Sequence, residues 1–299
     1  MSVIPPSASG WTPKAYSAIR FVLGIYLAIH FVMLTPWAPE LFSREGVIAN
    51  GAASPILRAF PNLLALNDSP TLVSSLCVAA TAASVLLAVG LWDRWAALFI
   101  WYVLACFLGR NPLILNPSLP HIGWLLLMHA AVPRAPAGSF DAWISPERSK
   151  RWFLPRPLFA ANWVVMSAAY GYSGMTKLTS PSWIDGNALR YVLENPLSPL
   201  TPLRDLALAL PSFVLTGATW FSLGLEVLFP LLACHSKTRP WAWLAMVGMH
   251  LGLLAFVDFH ELSVGMLILH AWTFEPRWVD RWLRGSDSHQ NPTSAAPAP

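Results

Sequence analysis

Long apolar runs alternate with polar segments punctuated by proline, glycine and asparagine along this 299-residue chain. The runs are continuous and lack a period-two alternation, so they predict helices and not the strands of a barrel. They fall at about residues 15–36, 71–91, 95–108, 121–132, 157–177, 211–234, 241–257 and 262–274. The third, fourth, seventh and eighth are short against the roughly 20 residues that a straight membrane crossing needs. Either one of them is re-entrant or the flanking loops continue as helix. Between the runs, residues 37–70 read as a long loop with two short helices. Residues 110–120, RNPLILNPSLP, are too rich in proline for regular helix. Residues 134–156 read as a basic connector, and residues 178–207 as a polar loop with one or two short helices. The expected architecture is all-α, a polytopic transmembrane helical bundle of about eight helices over residues 15–284. A short cytoplasmic tail (1–14) precedes it, and a Ser/Pro/Ala-rich disordered tail (285–299) follows.

Composition sharpens the class. Hydrophobic residues make up 55% of the chain and charged residues 11%, against about 25% charged in soluble domains. With a mean hydropathy of +0.50, such a chain cannot cover a water-facing surface, which implies an integral membrane protein. The net charge of +4 comes without a basic run interleaved with exposed aromatics, so nucleic acid is not an expected partner. Cys77, Cys106 and Cys234 sit in or at the ends of apolar runs without a CxxC spacing, which excludes a disulfide framework or a thiolate metal site. The first run is long enough to span and reads as an uncleaved anchor.

Charge also sets an orientation. With eight crossings and a cytoplasmic N-terminus, the inner segments carry twelve Lys/Arg and the outer segments six, Arg20 lying within a span. That bias places both termini in the cytoplasm of a multi-pass inner-membrane protein. The polar loops after the first, third, fifth and seventh runs then converge on the outer face, where a site built from loops is expected.

Candidate chemistry concentrates in residues 170–191, YGYSGMTKLTSPSWIDGNALRY. Lys177 stands where the hydrocarbon ends, either as a snorkelling anchor or as a working amine. Gly174 and Ser173 lie three and four residues before it, on the same helical face. They leave room for a flat ring, with Tyr170 one turn further back to stack on it. Trp183, Asp185 and Gly186 follow in a turn. Deeper in the bundle, Arg20 and Glu226 lie at similar depths. They either pair with one another, or Arg20 snorkels inward while Glu226 bonds another helix.

Four stretches together resemble one family: ELFSREGVIANG (40–51), RNPLILNPSLPHIGWLLLMHAAVP (110–133), residues 170–191, and MHLGLLAFVDFHELSVGMLILHAW (249–272). They look like the HTTM domain, the membrane part shared by vitamin K-dependent γ-carboxylase and its bacterial relatives. The Gly-x-x-Lys-Leu…Trp-x-x-Gly pattern is the most specific part. The resemblance implies that Lys177 is the base that deprotonates a reduced, vitamin K-like quinone drawn from the bilayer, and that the protein is a carboxylase-like lyase or quinol-linked enzyme. It implies Asn116, Trp183, Tyr170, Ser173 and Gly174 around that quinol. His250 belongs to the fourth motif. The family's Asn-Asn-His-Ser-Tyr stretch falls on Asn116-Pro117-Ser118-Leu119-Pro120, so its histidine is absent there. His121 is a substitute proton carrier or simply a helix-start histidine. The missing histidine argues against carboxylation of a protein glutamate.

The remaining candidates have plainer readings. Arg110 and Asn111 are an interface anchor and cap, or hold an anion or backbone carbonyl. His30, His129 and His270 read as packing partners, and Asp258, His260 and Glu261 as a solvated turn; no metal is expected. The alternatives to an enzyme are a non-catalytic scaffold for a membrane or periplasmic partner protein, and a small-molecule transporter.

Overall fold

The structure, a computed structural model, describes residues 7–114 and 116–279. The tail expected at 285–299 lies outside the described residues, as do residues 1–6. All regular secondary structure among the described residues is helical.

A helix lies on each of the apolar runs. They are α1 (Pro13–Leu34), α2 (Pro70–Val89), α3 (Asp93–Arg110), α4 (Leu119–Ala131), α5 (Arg156–Lys177), α6 (Ser212–Cys234), α7 (Arg239–Phe256) and α8 (His260–Thr273). Their starts follow from local chemistry. Proline occupies the first or second position of α1, α2, α4, α5 and α7, where its missing N–H costs no hydrogen bond. The Thr12 and Ser69 hydroxyls accept from the Ala15 and Leu72 amides to cap α1 and α2. Three of these helices, α1, α2 and α6, are long and apolar enough to cross a membrane. By contrast α4, with 13 residues, and α8, with 14, measure only about 20 Å at 1.5 Å per residue, short of the roughly 30 Å of hydrocarbon.

The helices form a chain of neighbours in which α1 packs on α2, α2 on α3 and α3 on α4, while α5 packs on α6 and α6 on α7. Joining the two sets is α8, which touches α1, α4, α5 and α7. Large apolar side chains also face outward, among them Phe21, Ile25 and Ile29 on α1 and Phe213, Phe221 and Leu231 on α6. Helices apolar on both faces belong in a bilayer.

The long loop 37–70 is ordered by α3. Arg110 is fully buried; its Nε donates to Asp68 Oδ2 (3.1 Å) and its Nη2 to the carbonyls of Ser43 (2.9 Å) and Ile48 (2.6 Å). Asn111 donates to the Leu41 carbonyl (2.9 Å). Of the readings open for this pair, the structure contains the carbonyl and anion ones for Arg110, the anion being the Asp68 carboxylate, and the carbonyl and cap ones for Asn111.

Arg20 does not pair with Glu226. Its Nη1 donates to Asp93 Oδ2 (3.2 Å), both residues being buried. His129 Nε2 lies 3.4 Å from the same carboxylate, and His129 Nδ1 bonds the Tyr16 hydroxyl (2.8 Å). The expectation rests on matched depths along two helix axes. Depth does not say which helices are neighbours, and the Asp93-Arg94 link between two runs folds its carboxylate into the bundle.

Candidate functional site

Lys177 is the last residue of α5, and the chain turns at once into the short helix Pro181–Ile184. The Ser180 amide donates to the Lys177 carbonyl (3.0 Å), and the turn closes at Gly186, whose φ of +75° suits glycine. Trp220 of α6 donates its indole N–H to the Ile184 carbonyl (3.0 Å), tying this turn to α6. Trp183 is thereby held over Lys177, with Nζ 4.5 Å from the ring centroid, within the range of a cation–π contact.

The partner of the amine is Glu226, on α6. Lys177 Nζ lies 2.5 Å from Oε1 and 2.6 Å from Oε2. The pair is lopsided: the lysine side chain is 24% exposed and the carboxylate 4%. One end reaches the surface and the other is sealed.

The space expected for a ring beside Lys177 is occupied. A Cβ added to Gly174 would lie 2.6 Å from the Val227 amide nitrogen, and one added to Gly171 would lie 2.8 Å from Pro230 Cγ. These glycines let α5 and α6 touch backbone to backbone, as small residues do between membrane helices. Ser173 is half-buried on the same helix. Tyr170 is buried, its edge against Phe229 at 4.9 Å, so it has no free face to stack on a ligand. The Lys177 side chain is thus backed by α6 and flanked by Trp183, with about a quarter of its surface exposed.

Tyr170 instead heads a chain of hydrogen bonds. Its hydroxyl bonds His250 Nε2 (2.8 Å) and lies 3.4 Å from His270 Nε2. His270 Nδ1 faces the Met266 carbonyl (2.9 Å), so that nitrogen carries the proton and Nε2 accepts. With neutral rings, only one order satisfies every contact. His250 Nε2–H donates to the tyrosine oxygen, and the tyrosine O–H donates to His270. His250 Nδ1 is then a bare acceptor, and it is buried without a partner among the described residues.

His250 is thus a buried histidine hydrogen-bonded to Tyr170, two turns below Lys177 on α5. His121 and Asn116 lie elsewhere, with other partners. His121 is half-buried in the first turn of α4, its backbone amide donating to the Ser118 carbonyl (3.0 Å). Asn116 lies in a second polar group: its Oδ1 accepts from the Ser118 amide and hydroxyl (2.9 and 3.0 Å), and its Nδ2 donates to Glu261 Oε2 (3.4 Å). The turn at 258–261 divides. Asp258 and His260 form an exposed pair at 3.2 Å. Glu261 turns inward to His30 Nδ1 (3.1 Å), because α8 starts at His260 and carries it onto the face that packs on α1.

Two participants, Glu226 and His270, are ones that sequence reasoning does not place at the site. Glu226 carries a usable signal, a lone carboxylate deep in an apolar run, which needs a cationic or hydrogen-bonding partner. His270 lies in the fourth motif, but a single histidine on an apolar helix does not disclose what it faces.

Compared with family models, curated proteins and solved structures, the chain matches none.

Proposed function

We propose that the chain is a polytopic membrane enzyme of the carboxylase-like HTTM type. Its Lys177–Glu226 pair takes a proton from a ring hydroxyl of a lipid-soluble, quinol-like substrate. The observation that carries this reading is the lopsided pair itself, an amine open on one side and backed by a sealed carboxylate. In the resting pair the ammonium faces the carboxylate. Passing the amine's proton to Glu226 leaves a neutral pair and frees the amine to act as a base. The free amine then accepts the hydroxyl proton, and the phenolate formed stays beside the new ammonium. Trp183 offers a flat indole on the open side against which a ring can rest. The Tyr170–His250–His270 contacts lie lower on α5 and hold α5, α7 and α8 together.

The test titrates a limiting soluble hydroquinone with purified protein under anaerobic conditions at neutral pH, where a free phenol is un-ionised, and reads the bound anion by ultraviolet difference absorbance. Lys177→Met should abolish the anion signal. Lys177→Arg should do the same, because a guanidinium stays charged and accepts no proton. A wild-type anion signal in a folded Lys177→Arg variant would make Lys177 an anchor.

A second reading has its own observation. The close α5–α6 contact at Gly171 and Gly174 lies directly below the pair, so Lys177–Glu226 also serves as a pin between two helices of a non-catalytic scaffold. Under that reading, hydroquinone chemistry is absent in wild type and variants alike.

The reading includes eight helices in the membrane, short ones among them, with Lys177 at the outer face and both termini inside. Lys150, exposed and bonded to Glu147 (2.7 Å), and Ser182, beside Trp183, report on the two faces. In right-side-out cells and on a cysteine-free background, a membrane-impermeant maleimide should label a cysteine at 182 and not one at 150. The opposite pattern would invert the orientation.

A further inference from the structure

The Glu261 group borders a half-open cavity of about 520 Å³, lined by α1, α3, α4 and the loops at their ends. None of Lys177, Glu226, Tyr170 or Trp183 lines it, so the cavity is independent of the proton transfer proposed for the Lys177–Glu226 pair. Its walls are apolar and aromatic, with Leu34, Phe42, Trp101 and Phe107 among them, and its polar edge is His30, Asn111, Asn116 and Glu261. A volume within about 300–1,000 Å³, apolar walls and a few converging polar groups are the marks of a small-molecule site.

The hydrogen bonds already made along that edge decide which head group fits. Asn111 is tied to the loop, its Nδ2 donating to Leu41 and its Oδ1 accepting from the Leu113 amide (3.2 Å). Asn116 accepts from Ser118 and donates to Glu261, so each asparagine keeps one neutral amide N–H. His30 Nδ1 faces the Glu261 carboxylate and so donates to it, which leaves Nε2 as an acceptor in the neutral ring. The strongest open group is therefore an acceptor, the Glu261 carboxylate with its other lone pairs, joined by His30 Nε2; the donors left beside it are single neutral amide N–H groups. Among the described residues, no lysine or arginine lines the cavity to balance an anion. At its margin Met33, Trp37 and Leu113 are exposed apolar residues, an entrance suited to a molecule arriving through hydrocarbon rather than through water.

We infer that this cavity binds a single-chain amphiphile with a non-anionic, hydrogen-bond-donating head, an alcohol or an amine. The head sits on Glu261 and His30, and the chain runs between Trp101 and Phe107. Fatty acids and phosphate-headed lipids are rejected, because their oxygens would meet an uncompensated carboxylate.

The experiment uses the full chain in detergent and three photoreactive probes of one chain length: decylamine, decanol and decanoate, each with a diazirine in the chain. Peptide mass spectrometry then reads labelling of the α1 and α3 segments. Amine and alcohol probes should label these segments at least about tenfold more than decanoate, the weight of one hydrogen bond to a charged group. Glu261→Gln should lower labelling by the amine more than by the alcohol, which also tells the two head chemistries apart. Ala105→Phe, which places a ring in the cavity from a half-buried position, should abolish labelling by all three. Equal labelling by decanoate in the wild type would overturn the inference without reference to any variant. So would undiminished labelling in an Ala105→Phe protein that melts like wild type.

Discussion

Lys177→Met is expected to destabilise the protein by about 3–5 kcal/mol, the range for breaking one side of a buried ion pair. Glu226→Leu should cost less. The difference follows from the lopsided burial: without lysine, a carboxylate only 4% exposed is stranded between α5 and α6. Without glutamate, a lysine that is 24% exposed can swing its ammonium to the membrane surface on its long stem. The double variant, Lys177→Met with Glu226→Leu, should melt close to wild type, since replacing both ions by apolar groups removes the desolvation cost along with the attraction. Thermal unfolding of the four proteins in one detergent reads the coupling. Strict additivity would mean that the two groups do not act as a pair. Equal losses in the two single variants would mean that the carboxylate is not sealed. The result bears on function as well. A strong coupling with the predicted asymmetry leaves both the proton-transfer and the pin readings in place, and the hydroquinone assay then separates them.

What the sequence discloses about this fold is mostly axial. The apolar runs, their proline starts and the lysine at the end of residues 157–177 each reappear as a helix or a helix end, because hydrophobic length and capping are local properties. Lateral information is missing. Arg20 and Glu226 sit at matching depths, yet Arg20 meets Asp93 and Glu226 meets Lys177. Gly171 and Gly174 show the same gap at a finer scale. Small residues beside a lysine are what a ligand slot requires and equally what a close helix crossing requires. Val227 and Pro230, more than fifty positions away, decide between the two. Glu261 reads as part of a solvated turn because the turn is short and polar, and only the start of α8 at His260 reveals that it faces His30. The candidate site is therefore half legible: Lys177 stands out as the lysine closing an apolar run and Glu226 as a lone carboxylate in need of a partner, but that they meet, and that His250 and His270 meet at Tyr170, is seen only by contact.

The second large effect is expected far from Lys177, at Gly90. This residue ends α2 in the left-handed conformation, at φ +72°, where an alanine is strained by about 1 kcal/mol or more. The larger cost is steric. A Cβ at residue 90 would overlap Arg20 Nη1 and lie 2.5 Å from Ser139 Cβ, so the guanidinium cannot keep its place. Arg20 would be displaced from Asp93, and with it the attachment that the same carboxylate makes to His129. Arg20 and Asp93 are both buried, so a separated pair has little water to fall back on, and a loss of about 3–5 kcal/mol is expected. The sign of the effect is checked against Gly224, inside α6, where an added Cβ would meet nothing within 4 Å. There alanine should be neutral or stabilising by up to about 1 kcal/mol, because glycine is the poorer helix former. Melting of Gly90→Ala beside Gly224→Ala in the same detergent makes the comparison. If the two proteins melt together, Arg20 has room to move and the Arg20–Asp93–His129 cluster does not hold α1, α3 and α4 in register.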